Sequence, residues 1–288
     1  MMNLPAGDVD YATYGAGYAG RRRTDPRIAT LVDQALGTAR TVLNVGAGAG
    51  SYEPVDRAVV AVEPSVAMLV QRPPGTGPVI RAVAQALPLG SDAVDAAMAT
   101  VTIHQWPDPL LGIAELCRVT RGPVAILTFD PDTLDRLWLM EYAPKLLAAE
   151  TSRYPTVRAL VSALGPTASV HEVPVPFDCV DGFTEAYYGR PEAFLDPSVR
   201  RSQSAWSLLS TLRSRRRPSG HSPPTWPPAD GTSATVRSAA SPRSSVPSVS
   251  SCVREGDRPP LPYSRAWLTG RAPTGRPDRR ERRRRRSR

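Results

Sequence analysis

The residues best placed to do chemistry are Val42-Leu43-Asn44-Val45-Gly46-Ala47-Gly48-Ala49-Gly50-Ser51-Tyr52. A β-branched, apolar run enters glycines at alternate positions and then turns towards a helix. Glycines there let the backbone turn sharply and admit a ligand against bare N–H groups. The dinucleotide fingerprint G-x-G-x-x-G would need glycine at 51 or 53, and those positions hold Ser51 and Glu53. The pattern is G-x-G-x-G, which disfavours a dinucleotide-dependent oxidoreductase. Glu63, 17 residues after Gly46, closes the next apolar run. A carboxylate there can accept both ribose hydroxyls of an adenosine. Alone, such an acid reads as a solvated loop residue; beside the glycine loop, the ligand reading is the stronger one. His104, in Thr102-Ile103-His104-Gln105-Trp106-Pro107-Asp108, is the general-base candidate, since an imidazole pKa of about 6.5 suits that task. The alternative is a histidine that merely caps the loop.

Positioning these groups requires strands that alternate with helices. Thr24 or Asp25 with Pro26 reads as a helix cap, and Ile28, Leu31, Val32, Ala35 and Leu36 recur at helical spacing up to Gly37. Strands are predicted at Thr41–Val45, Ala58–Val62, Pro78–Val83, Ala93–Val101 and Pro123–Thr128, with a helix over Leu110–Val119. That order implies an α/β fold: a parallel sheet with helices on both faces. Further on, Asp132–Glu150 and Val157–Leu164 read as helical, Ala168–Val175 as a strand, and residues 191–209 as one more helical stretch.

The net charge of +9 hides two different texts. Residues 1–203 hold 17 basic and 22 acidic residues, whereas residues 204–288 hold 19 arginines, no lysine and 5 acids. The later segment also holds 16 Ser and 12 Pro but no Ile, Phe or Met, too little apolar surface to offset ordering entropy. Residues 210–288 are therefore predicted to be a disordered tail. Cys117, Cys179 and Cys252 are far apart, which argues against a disulfide framework, and no Cys or His pair stands at zinc spacing. No stretch reaches the roughly 18–20 apolar residues of a membrane span. A cytoplasmic, metal-free protein is expected.

Taken together, VLNVGAGAGSYEP, VVAVEPSVAML and AQALPLGSDAVDAAMATVTIHQWPD resemble successive motifs of small class I S-adenosylmethionine-dependent methyltransferases, the group of the ubiquinone/menaquinone-biosynthesis and trans-aconitate enzymes. The likeness covers about residues 10–130. It implies a Rossmann-like sheet, S-adenosylmethionine as cofactor and a small-molecule methyl acceptor. It also implies that Gly46, Gly48 and Gly50 lie under the methionine and ribose portions, and that Glu63 holds the ribose. Pro64 opens the helix whose apolar side chain packs on adenine, Ala84 caps the adenine ring, and Thr100 ends the fourth strand. Asn44 stands where many relatives carry Asp, keeping an acceptor but losing the charge; Val83 stands where many carry another Asp. The division expected is a methyltransferase domain over 1–209 (lid about 1–27, cofactor half about 28–130, acceptor half about 131–209), then the tail. Tyr11, Tyr14 and Tyr18 read either as lid residues or as packing tyrosines. The acceptor half is expected to offer an apolar, aromatic lining.

The tail has two readings. Its arginine run, Arg282 to Arg286, suits phosphate, so the alternative function is a non-catalytic methyltransferase-like protein that binds nucleic acid. Yet Arg, Pro, Ser and Ala without Lys are what GC-rich DNA yields in a wrong frame. With GC-rich codons chosen to favour it, the neighbouring frame yields a helix and a strand SVRLVV. On that reading the last, antiparallel strand of the sheet is missing, leaving an unpaired edge, low stability and impaired activity.

Overall fold

A computed structural model describes Tyr11, Gly15, residues 17–206 and residues 264–271. Helix α1 (Pro26–Leu36) begins as its sequence requires. Asp25 caps it, its carboxylate accepting the Arg27 N–H at 3.0 Å, and Pro26 occupies the first turn. There follow β1 (Thr41–Val45), β2 (Ala58–Val62), the short helix α2 (Val66–Leu69), β3 (Val79–Ile80), β4 (Ala96–Thr100), α3 (Pro109–Val119) and β5 (Pro123–Thr128). Beyond them come α4 (Pro144–Thr151), α5 (Val157–Leu164), β6 (Ser169–Pro174), α6 (Pro197–Arg201) and β7 (Ser264–Arg271).

The sheet order is β3-β2-β1-β4-β5-β7-β6. Strands β1 to β5 run parallel, and β7 is antiparallel to both its neighbours. Because side chains alternate across a strand, each strand feeds two cores. Val42, Ala96, Met98, Ala125 and Leu127 meet Ile28, Val32 and Leu36 of α1. Leu43, Ala97, Ala99, Val124 and Ile126 meet Ile113 and Leu116 of α3 and Leu160 and Leu164 of α5. The Rossmann-like α/β expectation and the parallel strand order hold.

One fold expectation is corrected. The sheet does not lack its antiparallel strand: residues 264–271, read above as out-of-frame text, fill the place between β5 and β6. The pairing runs from Pro123↔Arg271 to Thr128↔Ala266 on one edge and from Ser169↔Thr269 to Pro174↔Ser264 on the other. A strand paired on both edges has its backbone groups satisfied by its neighbours, so little side-chain pattern of its own is needed. Leu268 supplies the core contact, fully buried with Leu160 and Leu164, and a Cβ added at Gly270 would lie 3.1 Å from Leu164 Cβ. The rest of the proposed disordered tail, the arginine run included, lies outside the described residues, and so does Tyr14.

The helix expected over Asp132–Glu150 is instead two 3₁₀ turns, Pro131–Arg136 and Trp138–Glu141, followed by α4. Pro144 accounts for the separate start of α4: it lacks an N–H and disfavours helical backbone at Ala143 before it. No helix among the described residues is long and apolar enough to cross a membrane.

Candidate active site

Strand order reverses between β1 and β4, because the chain runs outward to β2 and β3 before returning. Crevices at such switch points, beyond the carboxyl ends of the strands, are where this architecture holds ligands. A cleft opens there. Gly46 begins it at φ 71°, a left-handed backbone, and a Cβ on it would stand 2.1 Å from Thr102 Oγ1. Both conformation and space therefore demand glycine. The next turn presents the Gly48 N–H to Glu63 Oε2 at 2.9 Å, while Ser65 N–H donates to Glu63 Oε1 at 2.8 Å. Each carboxylate oxygen is thus oriented by one backbone donor and retains a lone pair. Burial lifts the Glu63 carboxyl above its ordinary pKa, against the opposing pull of these two N–H groups and of Arg72.

Of the residues singled out from the sequence, Gly46, Gly48, Glu63, Pro64, Ala84 and Thr100 line this cleft. Gly50 and Asn44 do not. A Cβ on Gly50 would lie 3.2 Å from Arg72 Nη1, so this glycine lets the loop settle on an arginine. Asn44 is fully buried beneath the loop and donates Nδ2–H to Glu53 Oε1 at 2.9 Å; Glu53 in turn pairs with Arg72 at 2.8 Å. The negative charge absent from position 44 therefore stands nine residues on, in an ion pair only 9% and 3% exposed. An aspartate at 44 would face Glu53 and repel it.

Sequence reasoning missed three contributors. Trp106 closes one wall, packed so tightly on α3 that a Cβ on Gly112 would reach its ring at 2.4 Å. Val101, just past β4, lines the cleft at φ 54°, a conformation costly for a β-branched residue and of the kind that clusters at functional sites. Arg22 reaches in from the N-terminal segment, held by Asp181 at 2.7 Å, while its Nη1 donates to Tyr18 Oη at 2.8 Å. Tyr52 Oη donates to the same Asp181 at 2.9 Å, tying the glycine loop to the segment after β6. The two contacts to Asp181 have no local sequence signal, since their partners lie 159 and 129 residues apart.

His104 faces elsewhere. It sits on a 3₁₀ turn, Ile103–Gln105, in an adjoining cavity that shares Tyr11, Tyr18, Arg22, Val101 and Gln105 with the cleft. Its ring stacks on Tyr154, with centroids 4.4 Å apart at 24°. The other lining residues include Glu150, Thr184, Glu185, Ser202 and Gln203. Tyr154 and Phe183 supply aromatic lining from the acceptor half, and these polar residues stand beside them. Tyr11 is buried between the two spaces and meets Tyr18 edge-on at 6.0 Å. Burial pushes its phenol far above the ordinary range, so it is a neutral hydroxyl, not a base. Among the described residues, no group of three His, Cys, Asp or Glu is placed to hold a metal.

A parallel sheet with one antiparallel strand inserted near its edge, and a glycine loop and an acid at the switch point, define the class I methyltransferase fold. Residues 43–126 match the family model described as a methyltransferase domain. Among solved structures, a protein of Anabaena variabilis described as a methyltransferase from an antibiotic biosynthesis pathway is 25% identical, with a TM-score of 0.61 over 68% of this chain and 89% of its own. The plantazolicin methyltransferase, solved with S-adenosylhomocysteine, is 11% identical with a TM-score of 0.47, covering 91% of both chains. No curated protein matches the chain. Residues 43–126 thus match a methyltransferase domain, set in a fold like that of the Anabaena variabilis protein.

Proposed function

We propose that this chain transfers the methyl group of S-adenosylmethionine to a small-molecule acceptor held in the cavity beside the cofactor cleft. The observation that carries the reading is Glu63, a buried carboxylate fixed by Gly48 and Ser65 N–H groups with a lone pair left on each oxygen. It would take the ribose hydroxyls. Gly46 and Gly48 let the backbone approach the sugar and methionine portions, Gly50 seats their loop, and Asn44 steadies that loop through Glu53. Pro64, Ala84 and Thr100 would bound the adenosine end, with Trp106 as its wall. When bound, the cofactor supplies an electrophilic sulfonium methyl, so the protein's work is alignment and exclusion of water. His104, on the acceptor side, would take the proton that the acceptor loses. Stacking on Tyr154 fixes the plane of its ring.

The catalytic unit proposed comprises residues up to about 206 together with β7. The proposed setting is the cytoplasm, since Cys117 and Cys179 are both free thiols. Calorimetric titration of S-adenosylmethionine and S-adenosylhomocysteine into the full chain tests the reading. Micromolar affinity for either supports it, and absence of binding to a cooperatively melting sample refutes it.

A further inference from the structure

We infer that Arg72 is a positioning residue of the cofactor site: it locks the glycine loop and supplies the positive charge that keeps Glu63 ionised for the ribose. The inference rests on the cofactor reading above and concerns a residue that does not itself line the cleft. Helix α2 meets the glycine loop at three points. At its start, Ser65 N–H donates to Glu63 Oε1 at 2.8 Å, and Glu63 Oε2 takes the Gly48 N–H. In its middle, Met68 packs on Ala49, and a Cβ on Gly48 would lie 3.3 Å from Met68 Cε. Just past its end, Arg72 N–H donates to Leu69 O at 3.1 Å, and the side chain stands against Gly50. There it grips Glu53 with both arms of its fork, Nη1 to Oε1 at 2.9 Å and Nη2 to Oε2 at 2.8 Å. Asn44 of β1 donates to the same Oε1. Loop, strand and helix end therefore meet on one buried ion pair.

A fastening alone does not require charge there. Well-packed apolar side chains often hold a buried contact as well as an ion pair does, because both ions must give up their water. This pair also leaves Arg72 Nε buried with no hydrogen-bond partner among the described residues. What an apolar pair could not supply is a positive field at Glu63. Burial disfavours the charged form of that carboxyl, and Arg72 pulls the other way; although Glu53 shares its charge, Arg72 is the end of the pair that acts on Glu63. The other groups nearby do not take its place. In the N-terminal segment, Tyr11 is a neutral phenol, and Arg22 is turned to Asp181 and Tyr18. Arg81, beyond β3, is exposed and held to Pro64 O. Gly48 and Ser65 offer N–H dipoles only. An ionised Glu63 is a stronger acceptor for the ribose hydroxyls than a neutral carboxyl, which carries a proton on one oxygen.

Calorimetric titration of S-adenosylhomocysteine across the acid-to-neutral range tests this on the full chain, unaltered and carrying Glu53→Met together with Arg72→Met. Replacing both partners strands neither ion, so the double variant should melt close to the unaltered chain. Without Arg72, Glu63 keeps its proton to higher pH, so binding is lost sooner on acidification. The acid limb of the affinity profile should move up by about one pH unit, with affinity at neutral pH lower by roughly tenfold, as expected when an opposite charge is removed. A double variant that melts cooperatively and binds as tightly as the unaltered chain at every pH overturns the inference. So does one that binds more weakly with its acid limb unmoved, which would leave Arg72 as a fastening only. If the double variant does not fold, Arg72→Gln, which can still hydrogen-bond Glu53 but carries no charge, decides by the same movement of the acid limb. Failure of S-adenosylhomocysteine to bind the unaltered chain overturns the cofactor reading instead, so the two failures are told apart.

Discussion

Replacing Glu63 by glutamine keeps the shape of the side chain and removes its charge. In the folded protein each Glu63 oxygen takes one backbone proton, from Gly48 at 2.9 Å and from Ser65 at 2.8 Å. Glutamine has only one acceptor oxygen, so its amide must face one of those N–H groups and leave a buried donor unmet, at about 1–3 kcal/mol. The cofactor loses a charged acceptor for one ribose hydroxyl, worth about 1.5–3 kcal/mol, or roughly 10- to 150-fold in Kd. An opposing effect depends on pH. Burial raises the Glu63 carboxyl pKa in the folded state above its unfolded value. The stability tied to the neutral form is therefore fully present below the unfolded pKa and is lost as pH rises through the folded one. Glutamine does not titrate, so the advantage of the unaltered protein in the cofactor-free state should be largest in acid and narrower at neutrality. Thermal melts across that range, paired with S-adenosylhomocysteine titrations at neutral pH, measure both effects. A variant that melts cooperatively and binds S-adenosylhomocysteine within twofold of the unaltered chain would refute the role given to Glu63.

Gly46→Ala forces a left-handed backbone on an L-residue, about 1–2 kcal/mol, and drives a methyl into Thr102, so its melting midpoint should fall by several degrees. Asn44→Asp replaces a hydrogen bond to Glu53 with two facing carboxylates; a loss of about 2–3 kcal/mol is expected in denaturant melts, and an unchanged midpoint would contradict the buried charge arrangement. Leu268→Ala should cost about 2–5 kcal/mol, because the side chain is fully buried; a change near zero would mean that β7 contributes no core. His104→Gln should lower kcat while leaving the S-adenosylhomocysteine affinity intact, and equal losses in both would assign the residue to cofactor binding instead.

The strands from β1 to β6 were legible because each combines β-branched residues with turn chemistry at its ends. Thr41–Val45 running into Gly46 is the clearest case. β7 was not, because what stabilises it lies outside it. Ala266, Leu268 and Gly270 alternate with Trp267 and Thr269, but eight residues inside a segment dense in arginine and proline give no sustained period. The cleft residues Gly46, Gly48 and Glu63 followed from spacing along the chain, which the βαβ geometry converts directly into proximity. The Arg22–Asp181–Tyr52 cluster and the relocation of charge from position 44 to the Glu53–Arg72 pair are contacts of tertiary structure alone. The composition of the second cavity failed to show for a related reason. Hydropathy over 130–188 registers the apolar residues that pack, whereas Glu150, Thr184 and Glu185 turn inward beside Tyr154 and Phe183, joined by Ser202 and Gln203 from beyond that range.

Strand β6 ends at Pro174 and β7 begins at Ser264, so 89 residues separate two neighbours in the sheet. At synthesis rates of roughly 5–20 residues per second, the ribosome needs about 5–18 seconds to deliver the missing strand after β6 has been made. Throughout that interval the open edges of β5 and β6, and the apolar surface that Leu268 later covers, are exposed in the nascent chain. A sheet formed from the first 206 residues alone would leave those edges unpaired, so a chain cut short before β7 is expected to self-associate where the full chain does not.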